Sequence, residues 1–144
     1  MANALRVEKA DIVVSSPMLR CVQSALPCAK GPIVLDARFM EVCHPDLIGP
    51  LHEFRLRTDA ELPPAFYIRT PHGIPEAEEY GPNTNSDKRY RAVIQHYADK
   101  AYRAGVSITI FSHSDCIDSF AAMLGIEPPT EFGCSIRRAL PLSS

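Results

Sequence analysis

The chain has 144 residues, 46% of them hydrophobic, with 15 lysines and arginines against 17 aspartates and glutamates for a formal net charge of −2. That length suits one core able to bury most of the apolar surface an unfolded chain exposes, and we expect a single domain over residues 1–144. The charge balance excludes the basic field that draws proteins onto nucleic acid or anionic lipid. Five cysteines, without Cys-x-x-Cys spacing, outline neither a disulfide framework nor a zinc knuckle and fit a reducing cytoplasm. The longest apolar stretch, around Val106 to Phe111, is too short to span a bilayer, and the residues after Met1 lack a signal-peptide apolar region. A cytoplasmic chain with neither nucleic-acid nor membrane partners is expected.

The run Asp11-Ile12-Val13-Val14 is almost continuously apolar and β-branched, as expected of a strand buried on both faces of a parallel sheet. It stops at Ser15-Ser16-Pro17, where Ser16 is suited to cap a helix and Pro17 to occupy its first turn. Met18, Val22, Ala25 and Leu26 line one face of that helix, and Pro27 should end or kink it. Gly31-Pro32 reads as a turn and Ile33-Val34-Leu35 as a second strand, with Arg38-Phe39-Met40-Glu41 running past its end. Seven of the 13 prolines fall between Pro45 and Pro82, so residues 45–85 read as a long excursion over the domain with only short regular pieces. Ser86 or Asp87 then caps a helix carrying Tyr90, Val93, Ile94, Tyr97 and Ala101 at helical spacing up to Gly105. Val106 to Phe111 forms the next strand. Ser112-His113-Ser114 leads into a helix marked by Ile117, Phe120, Ala121 and Leu124 and stopped by Gly125. Cys134-Ser135-Ile136 begins a last short strand.

Two strand-to-helix junctions carry chemistry, the one ending in Arg20 and the one holding His113. In parallel α/β sheets such junctions open together at the carboxyl ends of the strands, where helix N-termini favour an anion. Arg20 supplies a planar fork for two phosphate oxygens, and His113 adds a hydrogen bond or a positive charge.

The block Asp11-Ile12-Val13-Val14-Ser15-Ser16-Pro17-Met18-Leu19-Arg20-Cys21-Val22-Gln23-Ser24-Ala25 resembles the second conserved block of the histidine phosphatase (phosphoglycerate-mutase-like) superfamily. Ile108-Thr109-Ile110-Phe111-Ser112-His113 is similar to its strand bearing the second histidine, and Phe39-Met40-Glu41 to the segment that often carries its acid. Within the superfamily the likeness is to the branch of ubiquitin-associated SH3-type and ecdysteroid-phosphate phosphatases. The resemblance implies a three-layer α/β/α domain with a mostly parallel sheet. It makes Arg20 and His113 phosphate contacts and Glu41 a candidate acid for the leaving oxygen, with no metal and no cofactor. Members of the family begin with a strand ending in an Arg-His-Gly block that provides the phosphoryl-accepting histidine. Here Met1 stands ten residues before Asp11, which leaves no room for that strand and its helix. The expectation is therefore a partial phosphate pocket, inactive or nearly so, for phosphate or a phosphorylated ligand. Without that strand, the edge of the Ile108 strand would lie exposed and promote self-association.

Other residues have blander readings. Pro71-His72-Gly73 sits in a proline-rich loop rather than after a strand, which suits a solvated histidine. His44, Asp46 and His52 lack regular metal-ligand geometry. Asp115 complements the positive start of its helix, and no glycine-rich loop follows Cys21 or Cys43 at the distance a cysteine phosphatase needs. Two rival functions stay open: an abbreviated form of an active, metal-independent phosphomonoesterase, and a non-catalytic protein-interaction module.

Overall fold

Consecutive valines of the first strand, β1 (Ile12–Ser15), face opposite ways, because side chains alternate across a pleated strand. Val13 packs with Val22, Ala25, Ile33 and Leu35. Val14 packs with Phe39, Tyr90, Val93, Ile94, Tyr97 and Cys116. The sheet thus has an apolar cluster on each face and helices covering both. This is the three-layer α/β/α arrangement in a computed structural model that describes residues 10–41, 66–73 and 81–127. The Cys134–Ile136 strand, the residues His44, Asp46 and His52, and most of the 45–85 excursion lie outside the described residues.

Four strands form one parallel sheet in the order β3-β2-β1-β4, with β2 at Ile33–Leu35, β3 at Tyr67–Arg69 and β4 at Ile108–Phe111. Val14 registers with Val34 on one side and with Ile110 on the other, which makes β1 an interior strand. Among the described residues β4 pairs with β1 alone, and all four of its residues are half-buried. Strand β3 is an addition to the sequence reading, paired in parallel with β2 from Ile33 opposite Tyr67 to Leu35 opposite Arg69.

Helix α1 (Leu19–Ala25) starts later than its serine signal, with Met18 at the N-cap and no side-chain cap. Ser16 lies two residues upstream of that cap, its hydroxyl accepting a bond from the Met18 N–H at 3.3 Å. Proline has no N–H to give to the preceding turn, and the chain passes at Leu26–Cys28 into a 3-10 turn containing Pro27. Leu26, expected on the buried face, is 40% exposed there. Helix α2 (Asn85–Ala104) is capped by Thr84 rather than by Ser86 or Asp87. The Thr84 hydroxyl accepts from the Asp87 N–H, and the Asp87 carboxylate accepts from the Asn83 N–H, a reciprocal arrangement like a capping box. Its buried face is Tyr90, Val93, Ile94 and Tyr97, and it ends at Gly105 in the left-handed conformation (φ 65°) that a side chain would resist. Helix α3 (Ser114–Leu124) begins at His113 as N-cap.

From β1 the chain moves through α1 to β2 and on to β3, whereas α2 carries it back across to β4 on the far side of β1. Helix α1 contributes Val22 and Ala25 to one face, while α3 contributes Cys116 to the other. The helices following neighbouring strands β1 and β4 therefore diverge to opposite faces, which makes the carboxyl ends of these strands a topological switch point. Ligands of open α/β sheets bind at such a switch point.

Candidate functional site

The last rung between the two strands is the Ser16 N–H donating to the Phe111 carbonyl at 2.8 Å. Beyond it the chains separate, one towards Arg20 and the other into His113. These two residues, 93 positions apart, meet at this switch point: Arg20 Nη2 lies 3.2 Å from His113 Nδ1. The same Nη2 lies 2.5 Å from Glu41 Oε2. The structure thus brings Arg20, Glu41 and His113 together on a single guanidinium nitrogen.

His113 is only 6% exposed, and its second ring nitrogen, Nε2, is 2.9 Å from Ser16 Oγ. A guanidinium only donates, so Nδ1 facing Arg20 must be the acceptor and Nε2 carries the proton towards Ser16. The Ser16 hydroxyl in turn points at Met40 Sδ, 3.7 Å away. Burial first, then the positive charges of Arg20 and Arg89, push the His113 pKa down from 6.5 to about 3. The imidazole is therefore neutral near pH 7; of the two contributions expected of it, a hydrogen bond or a positive charge, it offers the first, through a lone pair and an N–H, while Arg20 carries the charge.

Glu41 is delivered by a segment held through its backbone. Asp36, with no exposed surface, caps a 3-10 turn over Ala37–Phe39. It accepts bonds from the Arg38 N–H and side chain and from the Tyr97 hydroxyl at 2.7–3.0 Å. Burial alone would raise the Asp36 pKa, yet the hydrogen bonds from Arg38 and Tyr97 hold it below the usual carboxylate value. The next three carbonyls are each gripped by a side chain. Arg89 Nη1 donates to Arg38 O and Met40 O at 2.6 and 3.0 Å, Ser112 Oγ to Phe39 O at 2.7 Å, and the Tyr90 hydroxyl to Met40 O at 2.5 Å. Arg89 and Tyr90 were not singled out for the site from the sequence. On a helix, an arginine beside a buried tyrosine reads as a solvated residue next to a core one, and no local signal marks their reach to this segment.

Two helix starts were expected to favour an anion. Helix α1 has only seven residues, and at α3 the Cys116 N–H already donates to Asp115 Oδ1 at 3.0 Å. Asp115, in the first turn of its helix, thus occupies that N–H, as its position at the positive end suggests, and its other oxygen lies 2.8 Å from the Tyr90 hydroxyl oxygen, whose one proton it shares with Met40 O. The accessible positive charge here is that of the Arg20 side chain, 55% exposed. Cys21 lies beside His113, with Sγ 3.7 Å from Nε2, but burial pushes its pKa up to about 12, so at neutral pH it is a thiol and not a nucleophilic thiolate. His96 packs edge-on against Tyr97, and His72 is exposed. Among the described residues no group of three or more His, Cys, Asp or Glu side chains could hold a metal ion, and no helix is long and apolar enough to cross a membrane.

A family model described as the histidine phosphatase superfamily (branch 1) matches residues 1–137. No curated protein matches the chain. Because the family match runs over nearly the whole sequence, and the parallel sheet with its flanking helices is the fold such a match requires, the chain belongs to the histidine phosphatase superfamily.

Proposed function

We propose that this protein binds a phosphoryl group or phosphomonoester between Arg20 and His113, and that the 144-residue chain does not turn it over. The observation that carries the reading is one nitrogen of the Arg20 guanidinium facing both an imidazole lone pair at 3.2 Å and a carboxylate at 2.5 Å. A planar cationic fork beside a neutral hydrogen-bonding ring suits a tetrahedral oxyanion. Turnover through a phosphohistidine needs an imidazole nitrogen free to attack in line with the leaving oxygen. Both nitrogens of His113 are engaged, one under Arg20 and the other against Ser16.

Calorimetric titration with inorganic phosphate, run beside a p-nitrophenyl phosphate assay, tests both halves. Arg20→Ala should weaken phosphate binding about 10- to 100-fold, what a charged hydrogen bond of roughly 1.5–3 kcal/mol carries. The unmodified chain should release no more nitrophenol than Arg20→Ala does. Robust hydrolysis abolished by Arg20→Ala would instead favour a second reading, a metal-independent phosphomonoesterase with Glu41 as the acid. That reading draws support from the clamped segment that sets the Glu41 carboxylate beside Arg20.

A further inference from the structure

A buried hydroxyl sits against the ring of His113 and can be either partner in that contact. Ser16 has no exposed surface. Its Oγ accepts from the Met18 N–H at 3.3 Å, faces His113 Nε2 at 2.9 Å and has Met40 Sδ 3.7 Å away. Because Arg20 donates to Nδ1, the ring proton is on Nε2 and Ser16 accepts it, so the hydroxyl's own proton is left to the sulfur, a weak acceptor.

An oxyanion seated between Arg20 and His113 changes what the ring must offer. The Arg20 N–H that points at Nδ1 turns to the anion, and an anion oxygen then faces a lone pair, acceptor against acceptor. Nδ1 needs a proton. A second proton on the ring would make an imidazolium in the interior beside Arg20 and Arg89, whose charges together with burial already hold the ring neutral. Cys21, with Sγ 3.7 Å from Nε2, is a neutral thiol and offers no compensating charge.

We propose that His113 responds to the anion by changing tautomer rather than charge, with the Ser16 hydroxyl turning from Met40 Sδ to donate to Nε2. This rests on the phosphate reading above. The N–H bond at Nε2 breaks and one forms at Nδ1, the protons being exchanged with water, so the ring keeps a single proton and the anion gains an N–H donor. A weak contact to sulfur gives way to an O–H···N bond across the existing 2.9 Å, and Ser16 Oγ keeps the Met18 N–H. Which ring nitrogen is protonated follows from the hydrogen bond the other makes, and a hydroxyl that both donates and accepts suits either state.

Ring-nitrogen NMR of histidine-labelled protein, with and without phenyl phosphate at pH 8, where the monoester is a dianion, reads the tautomer; His113→Gln assigns the signal. The free protein should carry its proton on Nε2 and the complex on Nδ1. Calorimetry in two buffers of different ionisation enthalpy should show no net proton uptake. Ser16→Ala leaves Nε2 of the bound tautomer without its donor and should weaken phenyl phosphate binding about two- to tenfold. If the complex keeps its proton on Nε2, or carries one on each nitrogen with uptake from buffer, while Arg20→Ala still weakens binding, the tautomer change is wrong and the phosphate site stands. Equal affinity in Ser16→Ala and the unmodified chain would also overturn it. An unmodified chain that gives no binding heat removes the phosphate reading and this inference with it.

Discussion

Two arginine–carboxylate pairs involve carboxylates five positions apart on the same stretch of chain, and they are built for opposite purposes. In the Asp36–Arg38 pair the carboxylate is wholly buried and the guanidinium 26% exposed, and Tyr97 and a backbone N–H complete the set. In the Glu41–Arg20 pair both side chains reach water. The first cannot be opened without stranding a charge in the interior, which is costly. The second contributes little to stability and is cheap to exchange. One pair fixes the shape of the segment, and the other stands where both of its side chains meet water.

Mutation of each pair would show whether this division holds. Asp36→Ala should cost about 3 kcal/mol of stability, because Arg38 and the Tyr97 hydroxyl lose their acceptor in a place with little water; urea unfolding measures it, and a loss below about 1 kcal/mol would erase the contrast between the pairs. Acid should reveal the buried histidine next. His113 takes its proton near pH 3 in the fold but near 6.5 when unfolded, so between those values the unfolded chain binds the additional proton and stability falls as pH drops. The limiting slope is about 1.4 kcal/mol per pH unit, and His113→Gln should flatten it between pH 6.5 and 4.5. Asp36 and Asp87, held below their ordinary 3.8, add acid sensitivity of the same sign only at lower pH. Tyr90→Phe should cost about 1–2 kcal/mol through the loss of the one hydroxyl proton that Met40 O and Asp115 share. Smallest of all, Arg20→Ala should shift stability by no more than about 0.5 kcal/mol even as it removes phosphate affinity, a separation visible by comparing melting with titration.

Hydrophobic periodicity made most of the framework legible in advance. Val13, Val14 and the run Val106–Phe111 read as sheet, and Tyr90, Val93, Ile94 and Tyr97 as the buried face of a long helix; these residues occupy those places, except that the last strand begins at Ile108. Strand β3 was hidden because it has three residues, sits in a proline-rich stretch, and exposes Ile68, so no apolar period marks it. Ser16 was misread as a cap because a serine after a strand and before a proline satisfies every local rule. Its actual partner, His113, lies 97 residues away. The meeting of Arg20 with His113 followed from their shared junction type, while the neutrality of the ring did not, since it depends on how deeply tertiary packing buries it. Arg89 reads as a surface cation for the same reason: its acceptors are backbone carbonyls 49 and 51 residues away.

Those gripped carbonyls have a corollary. A clamp that holds main-chain oxygens measures how many residues separate Asp36 from Glu41, whereas Arg38 is bound through its side chain as well, by the ion pair with Asp36. Removing a single residue there would shorten the chain by up to about 3.3–3.6 Å, more than the whole Arg20–Glu41 contact of 2.5 Å. Along this stretch the spacing from Asp36 to Glu41 is held by the main chain as firmly as the Asp36–Arg38 pair is held by its side chains.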